Sequence, residues 1–527
     1  MSGNLAESAS PRTAGDSLSI PIPVVVAGFT VLAFVLRSST FFHSVENWDE
    51  SQFLLVARSL LDGHAPYTEI FERKPPGIFV LFAAAQLVFG RTVAAIRILG
   101  CLAVAASAVL LFLIGRSLKN PTAGLLAGML YTIFSLTYGR STSLELCFTP
   151  FVLFAFYLVL SRDAEEMLGG VSLPLTLGFV AGAALQISYL VVFDLSALGL
   201  FFLVSLPPSV RARRARLFRF LGLVAVGPIA FFAAAVLSFA AAGHFAEYLD
   251  ANFGANLRYV TGSRVDYGRL AWMISRRVRE SFPLWFALVL APFYLAFFRG
   301  LDSGTRRGLL AGFLWSCFAF PGICATGYLF AHYFLELLPA QCLVCALVVT
   351  ATIGVVEGVS VVRSFLLIVL ILLGPVLRAL ESPLTQTAQT IRHRYVAGIA
   401  NWGDAPAAVA DYLRPRLSES DYLYVSDYHP ILYYLLPARI PTMYPMPPQL
   451  ADEKWRNRTG VDPDEEVRSI FRKRPLYVVK AEKGANSFYR ILDEELDQSY
   501  QLEKTIGGVA IYRRKDDRSV EPRGDAQ

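Results

Sequence analysis

The chain has 527 residues, of which 54% are apolar and 17% charged, and it carries a formal net charge of +6. Globular chains run nearer to about 45–50% apolar with glycine included and about 25% charged, so an ordinary soluble protein is excluded and a membrane protein is expected. Residues 385–527 hold 21 basic and 21 acidic residues and no cysteine, against 27, 21 and all six cysteines in residues 1–384; this excludes a concentrated basic face for nucleic acid and any disulfide or zinc framework in the tail.

In chain order, residues 1–19 are polar with Arg12 the only basic residue, and read as a disordered cytoplasmic leader. The apolar run from Ile20 to Leu36 ends at Arg37 without a small-residue cleavage site, which predicts a retained first span. Stretches of about 17–25 mainly apolar residues mark membrane helices, because lipid offers no partner to an unpaired backbone group. They fall at 20–40, 93–115, 120–137, 146–161, 171–188, 190–207, 218–241, 282–298, 308–324, 333–353 and 364–380. With the N-terminus inside, the arginine-rich loop 208–219 obeys the positive-inside rule. The odd count of spans then puts the tail outside, in a bacterial periplasm or its equivalent.

The first outer loop, 41–92, is long and rich in polar and aromatic residues. Phe53, Val56, Ala57, Leu60 and Leu61 recur at helical spacing, predicting an amphipathic helix over 50–62 on the membrane surface, stopped by Gly63 with Pro66 beyond. Asp49 at its entrance carries two compatible readings: an N-cap completed by Gln52 three residues on, or an immobilised carboxylate base at the membrane boundary. Further along, Glu72 and Lys74 stand beside Pro75 and Pro76. Lys74 reads either as an interfacial lysine that snorkels or as a phosphate-binding cation held by a proline-stiffened backbone.

A second outer loop, 243–281, strains the topology rule with Arg258, Arg264, Arg269, Arg276, Arg277 and Arg279. Either the topology is wrong there, or the loop is basic for a functional reason, or as a solvated surface helix or a lipid-attracted face. Near 332, His332 and Tyr333 read as interfacial aromatics. Glu336, one turn on, is placed to pair with His332, and Glu145 and Asp194 are ionisable groups near span ends without an assigned task. In the tail, helical stretches near 405–416, 429–437, 463–473 and 486–496 alternate with strand-like runs at 422–426, 476–480 and 509–513, predicting a small α/β unit. It has no phosphate loop or nucleophile motif, and reads as a recognition or capping domain.

Asp49-Glu50 at the exit of the first span, the run from Ala57-Arg58 to Pro66-Tyr67, and Glu72 two residues before Lys74-Pro75-Pro76 resemble the first periplasmic loop of the GT-C glycosyltransferases. The resemblance lies with the bacterial branch that includes lipid A aminoarabinose transferase, rhizobial galacturonosyltransferases and protein mannosyltransferases. His332-Tyr333-Phe334 followed by Leu338-Pro339 is similar to a second signature of that family. One departure is that the lysine often found after the fifth span is absent, with Gln186, Ser188 and Tyr189 in that region.

The resemblance implies a polytopic α-helical GT-C membrane domain over 20–384 with a C-terminal α/β periplasmic domain over 385–527. It implies an inverting sugar transfer from a polyprenyl-phosphate sugar to an envelope glycan, a lipid A or core sugar, or a protein, at the outer face of the inner membrane. The acceptor hydroxyl must lose its proton as it attacks, which asks for a carboxylate base, and Asp49 is expected in that role with Glu50 and Glu72 the other acids of the loop. The leaving lipid phosphate gains charge, so Lys74, Arg258, His332 and Tyr333 are expected on it. Asp49, Glu50 and His64 could offer metal ligands, but no spacing separates a site from chance, so no metal or other cofactor is assigned. A transporter of lipid-linked sugars is the alternative; it should show internal repeats and broken midplane helices, and the sequence shows no repeat.

Overall fold

The computed structural model describes residues 20–515 except 212, 262–265, 326, 328, 356–360, 452–458 and 482–486. The predicted leader therefore lies outside the described residues. A helix occupies each of the eleven predicted spans, from Ile22–Leu36 to Val361–Ile391. Among the described residues, Val93–Ser117, Arg214–Ala241 and Ser303–Ala325 are each long and apolar enough to cross a membrane by length and composition. Exposed apolar side chains on this bundle, such as Ile229, Leu237 and Val88, suit contact with lipid tails and not water.

Small residues set the closest helix approaches, since in lipid the packing of helix on helix has little hydrophobic drive and depends on contact. Gly178 of Ser172–Ile187 meets Gly227 of Arg214–Ala241: a Cβ on Gly227 would lie 2.1 Å from the Gly178 carbonyl carbon, and one on Gly178 would lie 2.2 Å from the Val224 oxygen. No residue larger than glycine fits there without a backbone shift.

The first outer loop is two helices. Trp48–Leu61 starts at Asn47, whose extended backbone and side-chain oxygen cap the Asp49 N–H, and it ends ahead of Gly63 at φ +95. The cap is thus Asn47, and Asp49 stands inside the first turn; Gln52 makes no capping box but gives its amide to the Phe71 carbonyl at 2.5 Å. Nor does this helix lie open on the membrane surface, because residues 50–57 are all buried. Phe53 packs its ring against Phe79 and Phe82 below, and Arg58 donates to the Tyr433 and Tyr434 carbonyls of the tail above.

The second helix, Gly77–Phe89, forms where the sequence shows only loop. Its 13 residues are too short for the span criterion, and Pro75-Pro76 end the preceding extended stretch where it begins. Gly77 is required there, since a Cβ would meet the Gln186 carbonyl oxygen at 2.5 Å.

The second outer loop is also helical. Phe245–Leu249, a π turn at Asp250–Gly254 and Ala255–Thr261 are followed by Tyr267–Glu280, which bends by 102° into Phe282–Phe297. Arg277 secures that bend, pairing with Glu280 at 2.7 Å and donating to the Thr137 carbonyl.

The tail folds as an α/β unit around a sheet of β1 (Leu423–Ser426), β2 (Tyr477–Lys480), β3 (Tyr500–Ile506) and β4 (Val509–Arg514) in the order β1-β2-β4-β3. β1 and β2 are parallel, with Leu423 opposite Tyr477, while β4 runs antiparallel to both β2 and β3. Helices Ala405–Leu413, Pro463–Arg472 and Ser487–Ser499 occupy the predicted positions. β3 has no counterpart among the predicted strands, because it is a mostly exposed edge strand with little apolar alternation. Its one signal is Gly507-Gly508, both at positive φ, a two-residue hairpin turn into β4.

Candidate functional site

A cavity of 690 Å³ opens where the first outer loop, the second outer loop, the His332 segment and the tail converge. Asp49, Glu72, Lys74, His332 and Tyr333 all line it, although they come from two widely separated regions of the sequence. The Asp49 carboxylate is 39% exposed and its Oδ2 lies 3.8 Å from His332 Nε2. His332 is held by stacking on Phe330, and Tyr333 is buried edge-on to the His332 ring.

Glu72 is buried, and its Oε1 accepts the Arg73 N–H at 2.8 Å. Burial pushes its carboxyl above the usual range, while Lys74 and Arg73 oppose that shift. The Lys74 backbone carbonyl is fixed by the Tyr67 hydroxyl at 2.8 Å, with Tyr67 itself in the strained left-handed region at φ 74. The Lys74 ammonium has no hydrogen-bond or ion-pair partner among the described residues. Loss of hydration pushes it below the ordinary lysine value, and the Arg73 charge adds to this. The Glu72 and Asp49 carboxylates act against that shift without bonding to the ammonium, so a desolvated cation is left able to bond an anionic ligand.

Two of the expected site residues are placed elsewhere. Glu50 points away from the cavity into a buried ion pair with Arg97, both side chains 1% exposed, and also accepts the Thr142 N–H at 2.9 Å. It ties the first-loop helix to the bundle. Arg258 forms a bidentate pair with Asp250 at 2.8 and 2.9 Å on the exposed side of the second loop and does not line the cavity. From that loop it is Arg269 that lines it.

Sequence reasoning also misses Arg73, though it adjoins Lys74: its guanidinium lies 3.5 Å above the Tyr259 ring and reaches Asn256 Oδ1. His429, from the tail, lines the cavity as well, and nothing in sequence could join it to Trp48, 381 positions away. Glu336 does not pair with His332; neither of its buried oxygens has a hydrogen-bond partner among the described residues. Asp194 accepts from the Trp315 indole at 2.5 Å. Asp49 opens the helix Trp48–Leu61 and His64 lies beyond its far end, with Glu50 committed to Arg97, so those three cannot share a metal ion.

Beyond Pro76 and Gly77, a second, apolar cavity of 560 Å³ runs between the helices Gly77–Phe89, Ser172–Ile187 and Arg214–Ala241, with Val80, Ile187, Phe231 and Phe239 in its walls. Lys74 lines the first cavity, and Pro76, two residues on, lines the second.

A family model described as dolichyl-phosphate-mannose-protein mannosyltransferase matches residues 73–241, from the Arg73-Lys74 pair to the end of the helix Arg214–Ala241. No curated protein matches the chain. Among solved structures, ArnT from Cupriavidus metallidurans bound to undecaprenyl phosphate is similar over 93% of this chain and 97% of its own, at 14% identity and a TM-score of 0.62. The apo form of that protein is similar over the same shares at 14% identity and a TM-score of 0.61. The bundle, the helical outer loops and the C-terminal α/β unit are therefore those of the GT-C fold.

Proposed function

We propose that this chain of GT-C fold is an inverting glycosyltransferase that moves a sugar from a polyprenyl-phosphate donor to an envelope acceptor at the outer face of a bacterial inner membrane. The observation that carries this reading is the place of Lys74, in a cavity that also holds an exposed carboxylate and two residues before Pro76, which lines an apolar groove fit for a lipid chain. The match of residues 73–241 to a lipid-phosphate-sugar family and the likeness to a protein solved with undecaprenyl phosphate support it.

In this mechanism the polyprenyl chain lies in the groove and its phosphate meets Lys74, with Arg73 and Arg269 lining the same cavity. Asp49 takes the proton of the acceptor hydroxyl as that oxygen attacks the anomeric carbon. The bond from the anomeric carbon to the phosphate oxygen breaks on the opposite side, and its electron pair leaves with the phosphate. Charge grows on the phosphate only as this bond breaks, so the cations stabilise the transition state more than the ground state. His332, close to the Asp49 carboxylate, orients it, and Glu72 supplies negative potential beside the oxocarbenium-like carbon. The C-terminal unit roofs the chamber and keeps bulk water from competing with the acceptor.

The test is Asp49→Asn in purified protein supplied with undecaprenyl-phosphate-linked sugars. Transfer should fall by about 10²–10⁴-fold, the range for losing a general base, with donor binding and thermal midpoint unchanged. Full transfer by this variant would remove Asp49 as the base. Mass comparison of envelope lipids and glycans from cells with and without the protein names the sugar and acceptor, and identical spectra would argue for transport or no envelope role.

A further inference from the structure

The C-terminal unit does more than cover the site. Trp48, immediately before Asp49, donates its indole N–H to His429 Nδ1 at 2.7 Å, with the two rings edge to face at 5.8 Å and 89°. An indole nitrogen can only donate, so His429 Nδ1 must be the unprotonated nitrogen and the ring proton is on Nε2. That Nε2 has no protein partner among the described residues and is not sealed off, and His429 lines the cavity. The loop that carries it is set in advance: Asp427 is held at φ 55 at the end of β1, its carboxylate accepts the Tyr489 hydroxyl at 2.6 Å, and Pro430 opens the next helix.

We propose that His429 is a substrate-positioning residue contributed by the C-terminal unit, a fixed neutral imidazole that donates its Nε2–H to a hydroxyl oxygen of a carbohydrate acceptor, with Trp48 as the latch that fixes its tautomer. This rests on the transferase reading above. The acceptor and not the donor is named because of where the groups stand. Lys74 stands two residues before Pro76, which lines the apolar groove, whereas His429 comes from the C-terminal unit and is bonded to the residue that precedes the base. A hydrogen-bond donor that carries no charge matches an uncharged polyhydroxy ligand; a phosphate would be better met by a cation. Burial also pushes the His429 ring below its ordinary value, which favours the neutral form.

Two replacements separate the hydrogen-bond donor from the latch. In His429→Asn the amide oxygen takes the place of Nδ1, so the Trp48 contact is kept and the donor is lost. In His429→Gln the amide nitrogen takes the place of Nε2, so the donor is kept and the latch is lost. Transfer from an undecaprenyl-phosphate-linked radiolabelled sugar is measured with the glycolipid and glycan fraction of cells lacking the protein as acceptor. His429→Asn should raise the acceptor KM about tenfold, the equivalent of one net hydrogen bond, with donor KM, slow transfer to water and thermal midpoint as in the native protein. His429→Gln should recover most of that loss. Native behaviour of His429→Asn alongside failure of both His429→Gln and Trp48→Phe would overturn the proposal, leaving His429 as a clamp on the roof.

Histidine-selective nitrogen-15 spectra, assigned by the His429→Asn difference, supply a readout that needs no activity. They should show a neutral ring with its proton on Nε2 at pH 7, and a cationic or Nδ1-protonated ring would sink the idea. If the native protein transfers no sugar while the ring is as described, the transferase reading fails and the acceptor role with it, but the fixed hydrogen-bond donor stands.

Discussion

Lys74 shows how one side chain can be legible in sequence for its type and still need the fold for its meaning. Its ammonium is pushed below the ordinary value by loss of hydration, so the cation is lost as pH rises through a value lower than that of a free lysine. Activity that depends on this charge should fall early on the alkaline side. Lys74→Arg, whose guanidinium does not titrate in that range, should move the alkaline limb of the rate profile upward, even where the maximum rate is lower. An unshifted limb would mean that another group sets it. Glu50 makes the opposite point. It has the same chemistry as Asp49 and adjoins it, yet it is spent on Arg97 in the bundle. Glu50→Gln leaves that arginine buried and uncompensated, which costs about 3–5 kcal/mol. It should lower the thermal midpoint sharply while the surviving folded protein keeps its turnover, and equal stability with lost turnover would return Glu50 to the chemistry. Helical period alone cannot separate these neighbours, because both fall in the first turn and the deciding contact is 47 residues away.

Among the elements, the helices over the eleven predicted spans, three of which among the described residues are long enough by themselves to cross a membrane, are readable from their apolar runs. The helix Gly77–Phe89 is not, because its apolar run is short and its partner, the Gln186 carbonyl, is far off in sequence. β3 escapes for a related reason, since an edge strand with a polar face has no alternation to detect and only its glycine turn announces it. The choice of Arg258 over Arg269 fails because six arginines share a loop, and the sequence does not mark which of them the fold brings to the cavity. The Gly178–Gly227 crossing gives a test at this scale. Gly227→Val must separate the helices that form a wall of the apolar groove, so it should lower the thermal midpoint by the equivalent of about 1–3 kcal/mol or more. It should also weaken retention of undecaprenyl phosphate in a flotation assay. A variant as stable as the native protein would show that the helices do not touch there.

Across the whole molecule, the first-loop helix is held between the bundle and the C-terminal unit, and it brings Asp49 to the seam. Arg58 to the Tyr433 and Tyr434 carbonyls, Ser44 to Asp404 and the Phe71 N–H to the Met443 carbonyl fasten the roof. Arg58→Ala removes the charged bonds, each of a kind that contributes about 1.5–3 kcal/mol. Hydrogen exchange across 431–450 should quicken in this variant while the buried span helices stay protected, and acceptor KM should rise more than donor KM. Unchanged exchange would mean that the roof is held by its other contacts alone. By itself the sequence determined the helical membrane body, the α/β tail and the loop that carries Asp49, Glu72 and Lys74, because period, length and proline placement are local properties. Only the tertiary structure decided which acid faces the cavity, which arginine joins it and that His429 belongs to it. Those choices depend on contacts between residues far apart in sequence, 47 positions for Glu50 with Arg97 and 381 for Trp48 with His429, and no local pattern encodes which face of a packed helix meets which partner.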